Sequence, residues 1–174
     1  MKDRIRVMIS EEEIDKRVKA LGKEISEMYG DEPVTLVCIL KGATFFGCEL
    51  AKRITSPVKI DFMSVSSYGN GTVSSGRVRI MKDMDESIED QHVLVVEDII
   101  DSGRTLSYLK KLLEERNPKD VRLCTLLDKP SRREVPVDVD YVGFEVPDAF
   151  VVGYGLDYAQ QYRNLPYIGE IIAE

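Results

Sequence analysis

Apolar positions along the chain follow two rhythms. Between Ser10 and Gly30 they recur every three or four residues, at Ile14, Val18, Leu21, Ile25 and Met28, which is one face of a helix. Ser10, followed three residues later by Glu13, supplies the capping box that starts it. The run "VTLVCIL" (34–40) is apolar throughout, as a strand covered on both faces would be, and "VKIDFMSV" (58–65) alternates as a half-covered strand does. Between them, "ATFFGCELAKRI" (43–54) predicts a helix. The eleven residues of "SSYGNGTVSSG" (66–76) are almost all Ser, Gly, Asn and Thr and predict a long loop.

Beyond that loop, strands are predicted at 77–81, 92–97 and 121–127, with a helix over 105–116. Strand, helix and strand with short connections make a βαβ unit, so the last two of these strands are expected to be parallel neighbours. "YVGFEV" (141–146) and "FVVGY" (150–154) read as two further short strands. The tail from Gly155 carries Tyr158, Tyr162 and Tyr167 and is expected to pack against the rest. These elements describe an α/β domain with a mainly parallel sheet.

Length and composition narrow the setting. At 174 residues the chain is expected to form one domain over 1–174, with a core that needs no staples. A net charge of -7 argues against a broad nucleic-acid surface, which depends on Lys and Arg. Cys38, Cys48 and Cys124 form no CxxC pair and lie among apolar residues, so buried thiols in a reducing compartment are expected rather than disulfides or zinc. No apolar run is long enough for a signal peptide core or a bilayer span, and a cytoplasmic setting without membrane contact follows as the expectation.

The stretch "VLVVEDIIDSGRTL" (93–106) changes the picture most, because four aliphatic residues run directly into Glu97, Asp98 and Asp101. In an open parallel sheet, ligands bind at the carboxyl ends of the strands, where these acids would lie. The turn from Asp101 to Thr105 has small residues at Ser102 and Gly103, and its backbone N–H groups could cradle a phosphate at the start of the helix. Carboxylates beside a phosphate call for an intermediary, either a magnesium ion or ribose hydroxyls. A solvated loop with Asp101 or Ser102 capping the helix is the plainer alternative. No GxxxxGK[ST] or GxSxG is present, and "GNGTVS" breaks GxGxxG at its last position. His92, the one histidine, opens the strand about 20 Å from Asp98 and reads as structural. Any proton transfer therefore falls to a carboxylate, a lysine or a tyrosine, with Asp101 best placed.

The same stretch resembles the phosphoribosyl-diphosphate signature of type I phosphoribosyltransferases. "LKG" (40–42), "SSYGN" (66–70), "LLDKPSRR" (126–133) and "FVVGYGLDYAQQYRNLPYIG" (150–169) resemble, in the same order, the hypoxanthine-guanine phosphoribosyltransferases. The resemblance implies the type I fold: a central, mainly parallel sheet flanked by helices, a small hood built from terminal segments (150–174 among them) and a mobile lid over 66–76. It also implies a transferase acting on phosphoribosyl diphosphate and a 6-oxopurine, with magnesium as cofactor and a homo-oligomeric state, dimer or tetramer.

Residue by residue, the resemblance makes Asp101 the acid or base beside the purine. Glu97 and Asp98 would address the ribose hydroxyls and a magnesium ion, with Asp157 holding a second one. Ser102, Gly103, Arg104 and Thr105 would hold the 5′-phosphate. Lys41 and Gly42 would bind diphosphate, with the Leu40–Lys41 peptide a candidate for the cis form, and Arg163 would reach the same group. Lys129 would donate to the 6-oxo oxygen, Phe150 would stack on the ring and the Val151 backbone would meet its edge. The lid would carry Ser67 and Tyr68. Another base, a regulator on this fold that binds RNA or a nucleotide, and a magnesium-dependent phosphoacceptor domain remain the alternatives. The last explains neither the lid nor the tail, and the charge disfavours RNA.

Overall fold

The computed structural model describes residues 4–67 and 78–172. Its elements are β1 (Arg4–Ile9), α1 (Glu11–Tyr29), β2 (Val34–Leu40), α2 (Thr44–Ala51), β3 (Val58–Ser67), β4 (Val78–Lys82), β5 (His92–Ile100), α3 (Arg104–Glu114), β6 (Asp120–Asp128), β7 (Tyr141–Glu145), β8 (Val151–Val152) and β9 (Ile168–Ile172). A single 3-10 turn, Pro130–Arg132, follows β6. Of the lid expected over 66–76, Ser66 and Ser67 instead extend β3, where pairing with Arg79 and Val78 of β4 holds them in the sheet, and the residues from Tyr68 onward lie outside the described residues.

The larger sheet runs β4-β3-β2-β5-β6-β7 and is parallel except for the antiparallel β3–β4 edge. Strands β2 and β5 occupy the centre because both their faces are apolar. On β5, Leu94 and Val96 join Phe46, Leu50, Ile14 and Leu21 in one core beneath α1 and α2. Val93 and Val95 join Leu106, Leu109 and Leu113 of α3 in a second core on the opposite face. Each fully buried leucine contributes about 1.5–3 kcal/mol. The chain turns from β2 toward β3 on one side and from β5 toward β6 on the other, so the strand order reverses between β2 and β5. In such sheets that reversal opens a crevice.

Helix α1 begins with the predicted box: Ser10 Oγ accepts from the Glu13 N–H (3.2 Å) and Glu13 Oε2 accepts from the Ser10 N–H (2.7 Å). Its buried stripe ends on Tyr29, not on Met28, which is 49% exposed. After Ile25 the covered position is the one four residues on, and that is Tyr29.

Two strands escape the sequence pattern. β1 and β9 pair antiparallel, β8 joins β9, and the three form a small separate sheet, the hood. The tail thus packs as expected through Leu156 and Ile168, although Tyr158 stands 48% exposed. Cys38 and Cys124 are buried as expected, but Cys48 is exposed, on the outer side of the short, nearly uniformly apolar α2. His92 sits at the far end of β5, where its Nδ1 lies 2.9 Å from Asp120 Oδ2, in keeping with a structural role. No helix among the described residues is long and apolar enough to cross a membrane.

Candidate active site

The last rung between β2 and β5 joins Cys38 to Val96, and past it the two strands part. β2 runs on into a cis Leu40–Lys41 peptide and a turn at Gly42. Thr44 Oγ1 fastens that turn by donating to the Lys41 carbonyl at 2.6 Å. β5 continues through Glu97 and Asp98 to Ile100, now paired only with β6.

Gly42 is pressed against Asp98 so closely that a Cβ there would fall 1.8 Å from Asp98 Oδ2. Gly155, at φ +101, backs onto the same turn, and a Cβ on it would lie 2.1 Å from the Gly42 carbonyl oxygen. Three segments distant in sequence therefore meet at Gly42, the backbone of Gly155 on one side and the Asp98 carboxylate on the other, and only glycine at 42 and 155 leaves room for both contacts.

Beside them lies a cleft of about 290 Å³ lined by Ser67, Glu97, Asp101, Ser102, Gly103 and Thr105 together with Ile99, Ile100 and Leu106. Helix α3 starts at Gly103, whose φ of +81 suits glycine, and no side chain caps it. Asp101 is therefore not the helix cap of the plainer reading. Ser102 Oγ accepts from the Arg104 N–H at 3.3 Å, and Asp101 keeps its carboxylate free to face Lys129 Nζ across 3.8 Å. Lys129 arrives from the end of β6, its N–H bound to the Ile100 carbonyl at 2.9 Å and its side chain only 12% exposed.

Burial raises both carboxylates at the mouth of the core. Glu97 is held well above the usual carboxylate range by desolvation and by the adjacent Asp98 charge. Asp98 is raised by desolvation too, partly offset by the Ile99 N–H that donates to it and by the Arg163 charge. Two acceptor-only groups held at such a cost call for donors or a hard cation. Adjacent oxygen ligands of this kind fit magnesium.

Asp157 forms a separate position. Its carboxylate lies 3.2 Å from Arg163 Nη2 and accepts from the Gln160 N–H at 2.8 Å. Among the described residues no three acid, histidine or cysteine side chains converge on one point.

The remaining predicted residues surround the cleft rather than line it. Lys41 Nζ reaches Gln160 Oε1 at 3.4 Å, which also accepts from Arg163 Nη2 at 3.2 Å, so both cations gather at the tail. Arg163 Nη1 donates to the Gly155 carbonyl (2.7 Å). Arg104 turns its side chain to Glu134, at 2.5 Å, so within the loop the backbone is left to face an anion. Phe150 is 53% exposed and meets Tyr158 edge-on, while Val151 is buried in β8. Tyr68 lies outside the described residues. Hydrophobic pattern and motif spacing single out neither Gln160 nor the Asp128–Arg133 ion pair at the end of β6. The one signal available was the alternation of charge in "LLDKPSRR".

Residues 10–159 match the family model of the phosphoribosyl transferase domain. The chain is 58% identical over 164 residues to the hypoxanthine-guanine phosphoribosyltransferase of Bacillus subtilis, covering 94% of this chain and 91% of that protein. It is 57% identical over 164 residues to the bifunctional protein TilS/HprT of Listeria monocytogenes, matching 94% of this chain but spanning only 25% of that longer protein. Among solved structures, a hypoxanthine-guanine phosphoribosyltransferase of Bacillus anthracis superposes with a TM-score of 0.94 at 46% identity, covering 97% of this chain and 100% of that one.

Proposed function

The chain belongs to the phosphoribosyl transferase family, and from that premise we propose that it is a purine-salvage enzyme. It moves the 5-phosphoribosyl group of phosphoribosyl diphosphate to N9 of hypoxanthine or guanine, giving IMP or GMP and diphosphate. The observation that carries this reading is the shared cleft in which Glu97, Asp101 and the Ser102–Thr105 loop converge, with Lys129 Nζ 3.8 Å from Asp101 Oδ1. An anion cradle, a pair of acceptors, a proton-transfer group and a cationic donor are what a ribosyl phosphate and a 6-oxopurine need together.

The division of labour follows from the donor and acceptor inventory. The backbone N–H groups of Ser102–Thr105 hold the 5′-phosphate at the start of α3. Glu97 and Asp98 accept from the ribose hydroxyls, which offsets part of the cost of burying two adjacent carboxylates. Lys129 donates to the purine 6-oxo oxygen, Phe150 covers a ring face, and the Val151 backbone meets the ring edge. Asp101 takes or returns the proton at the purine as N9 attacks the ribosyl carbon. Lys41, Gly42 and Arg163 face the departing diphosphate. When bound at Glu97 and Asp98, or at Asp157, magnesium supplies charge neutralisation for that leaving group.

We read residues 1–174 as a single catalytic domain with 68–76 as its lid, Tyr68 included, and 150–174 as part of its hood. We also read it as a homo-oligomer in the cytoplasm, which sedimentation and fractionation check. The activity is tested with a base panel: hypoxanthine, guanine, xanthine and adenine, each with phosphoribosyl diphosphate and magnesium, reading diphosphate release. Turnover of hypoxanthine or guanine, lost on chelation of the metal, is expected. No turnover of either would overturn the assignment.

A further inference from the structure

The segment after Lys129 is fastened along its length to the loop that precedes α3. The Glu134 and Val135 N–H groups both donate to the Ser102 carbonyl, at 2.9 and 3.1 Å. Arg133 stands at the middle of this strap. Its Nε donates to the Asp101 carbonyl at 3.2 Å, and its Nη2 pairs with the carboxylate of Asp128, the residue just before Lys129. The ion pair is largely withdrawn from solvent, with side chains 21% and 12% exposed. Gly103 lies directly against it, since a Cβ there would come within 2.9 Å of Arg133 Cδ. One guanidinium thus touches the phosphate loop and the strand end that carries the base-facing lysine.

We propose that Arg133 is a positioning residue that fixes the distance between the Asp101–Thr105 loop and Lys129, and so between the sites for the 5′-phosphate and the purine. The inference rests on the function proposed above. A planar guanidinium offers several donors in fixed directions and serves a carbonyl and a carboxylate at once, whereas an ammonium on a flexible stem is a single point charge. The product nucleotide spans both sites with one covalent frame, so its affinity depends on their separation. Its parts, bound singly, do not sense that separation. A misplacement of about 1 Å between reacting groups can lower a rate on the order of 10²-fold.

The test compares the wild type with Arg133→Lys, which keeps a cation for buried Asp128 while giving up the second contact, and with Arg133→Met, which gives up both. Calorimetry measures IMP and inosine binding, kinetics measures hypoxanthine turnover, and thermal unfolding monitors the fold. In Arg133→Lys the affinity advantage of IMP over inosine should shrink by at least about 10-fold, kcat/KM should fall in proportion, and inosine affinity and Tm should stay near wild type. A purely structural role would instead lower Tm and leave the IMP-to-inosine ratio intact. That ratio unchanged in Arg133→Lys overturns the proposal, and so does failure of Arg133→Lys to fold, since the paired charge should suffice for the fold. If the wild type itself neither turns over hypoxanthine nor prefers IMP, the proposed function fails instead.

Discussion

Gly42 and Asp98 are in contact with no room for a side chain between them: a Cβ at residue 42 would lie 1.8 Å from Asp98 Oδ2. The glycine is what lets the end of β2 close over the acid at the end of β5. Gly42→Ala must therefore move either the Lys41–Gly42 turn or the Asp98 carboxylate. The expected outcome is a folded protein whose kcat/KM for phosphoribosyl diphosphate drops by at least about 10-fold, because the proposed function has both displaced groups facing that substrate. Kinetics alongside circular dichroism checks it. Parental kinetics would show that the contact has no functional weight.

Asp101 does not serve the fold as a helix cap, since Gly103 begins α3 without a side-chain cap and the neighbour of the Asp101 carboxylate is Lys129 at 3.8 Å. Asp101→Asn keeps the shape and removes the proton chemistry. It should lower kcat on the order of 10²-fold, the usual contribution of a general acid or base, with Tm little changed. Turnover at the parental rate would remove Asp101 from the mechanism.

What was legible in the chain depended on how local the interaction was. Strand β5 could be read because Val93 to Val96 are apolar on both faces, and both faces are covered. The cleft residues 97–105 could be read because they are contiguous. Strand β1 could not, because Arg4 and Arg6 interrupt a short half-exposed segment whose partner, β9, is at the other end of the chain. The predicted helix over 43–54 ends at Ala51, two residues before the Arg53 backbone packs on Gly22 of α1, where a Cβ would lie 2.6 Å from the Arg53 carbonyl oxygen. Arg133 was invisible for the reason β1 was: its partner carbonyl at Asp101 is 32 residues away.

The raised carboxylates make a statement about stability that can be checked without substrate. Glu97 has a higher pKa in the fold than in the open chain, where it is near 4.3. Between those two values the folded state binds more protons, so stability falls as pH rises through that window and then levels off. Glu97→Gln removes the penalty. The ligand-free variant should melt a few degrees above wild type at neutral pH, a shift of about 2–4 °C for each kcal/mol at this chain length, and the gap should close in acid. Its turnover should fall at the same time. A variant that melts below wild type at neutral pH would mean that Glu97 is stabilising as a charge.

Lys129 offers the most direct test of base choice. Its side chain is 12% exposed, its backbone is tied to Ile100, and its ammonium faces Asp101 without closing to hydrogen-bond distance, so it is held in place with donors to spare. An ammonium only donates, which suits the 6-oxo oxygen of hypoxanthine and guanine and opposes the 6-amino group of adenine. Adenine would leave a charged donor facing another donor in a partly dry cleft, so wild-type protein should reject it strongly. Lys129→Gln offers an amide that can either donate or accept. It should weaken hypoxanthine use by on the order of 10-fold or more and narrow the advantage of hypoxanthine over adenine. The measurement is kcat/KM for both bases in both proteins. An unchanged ratio would mean that position six is read elsewhere, and Arg133 would then have nothing at Lys129 to align.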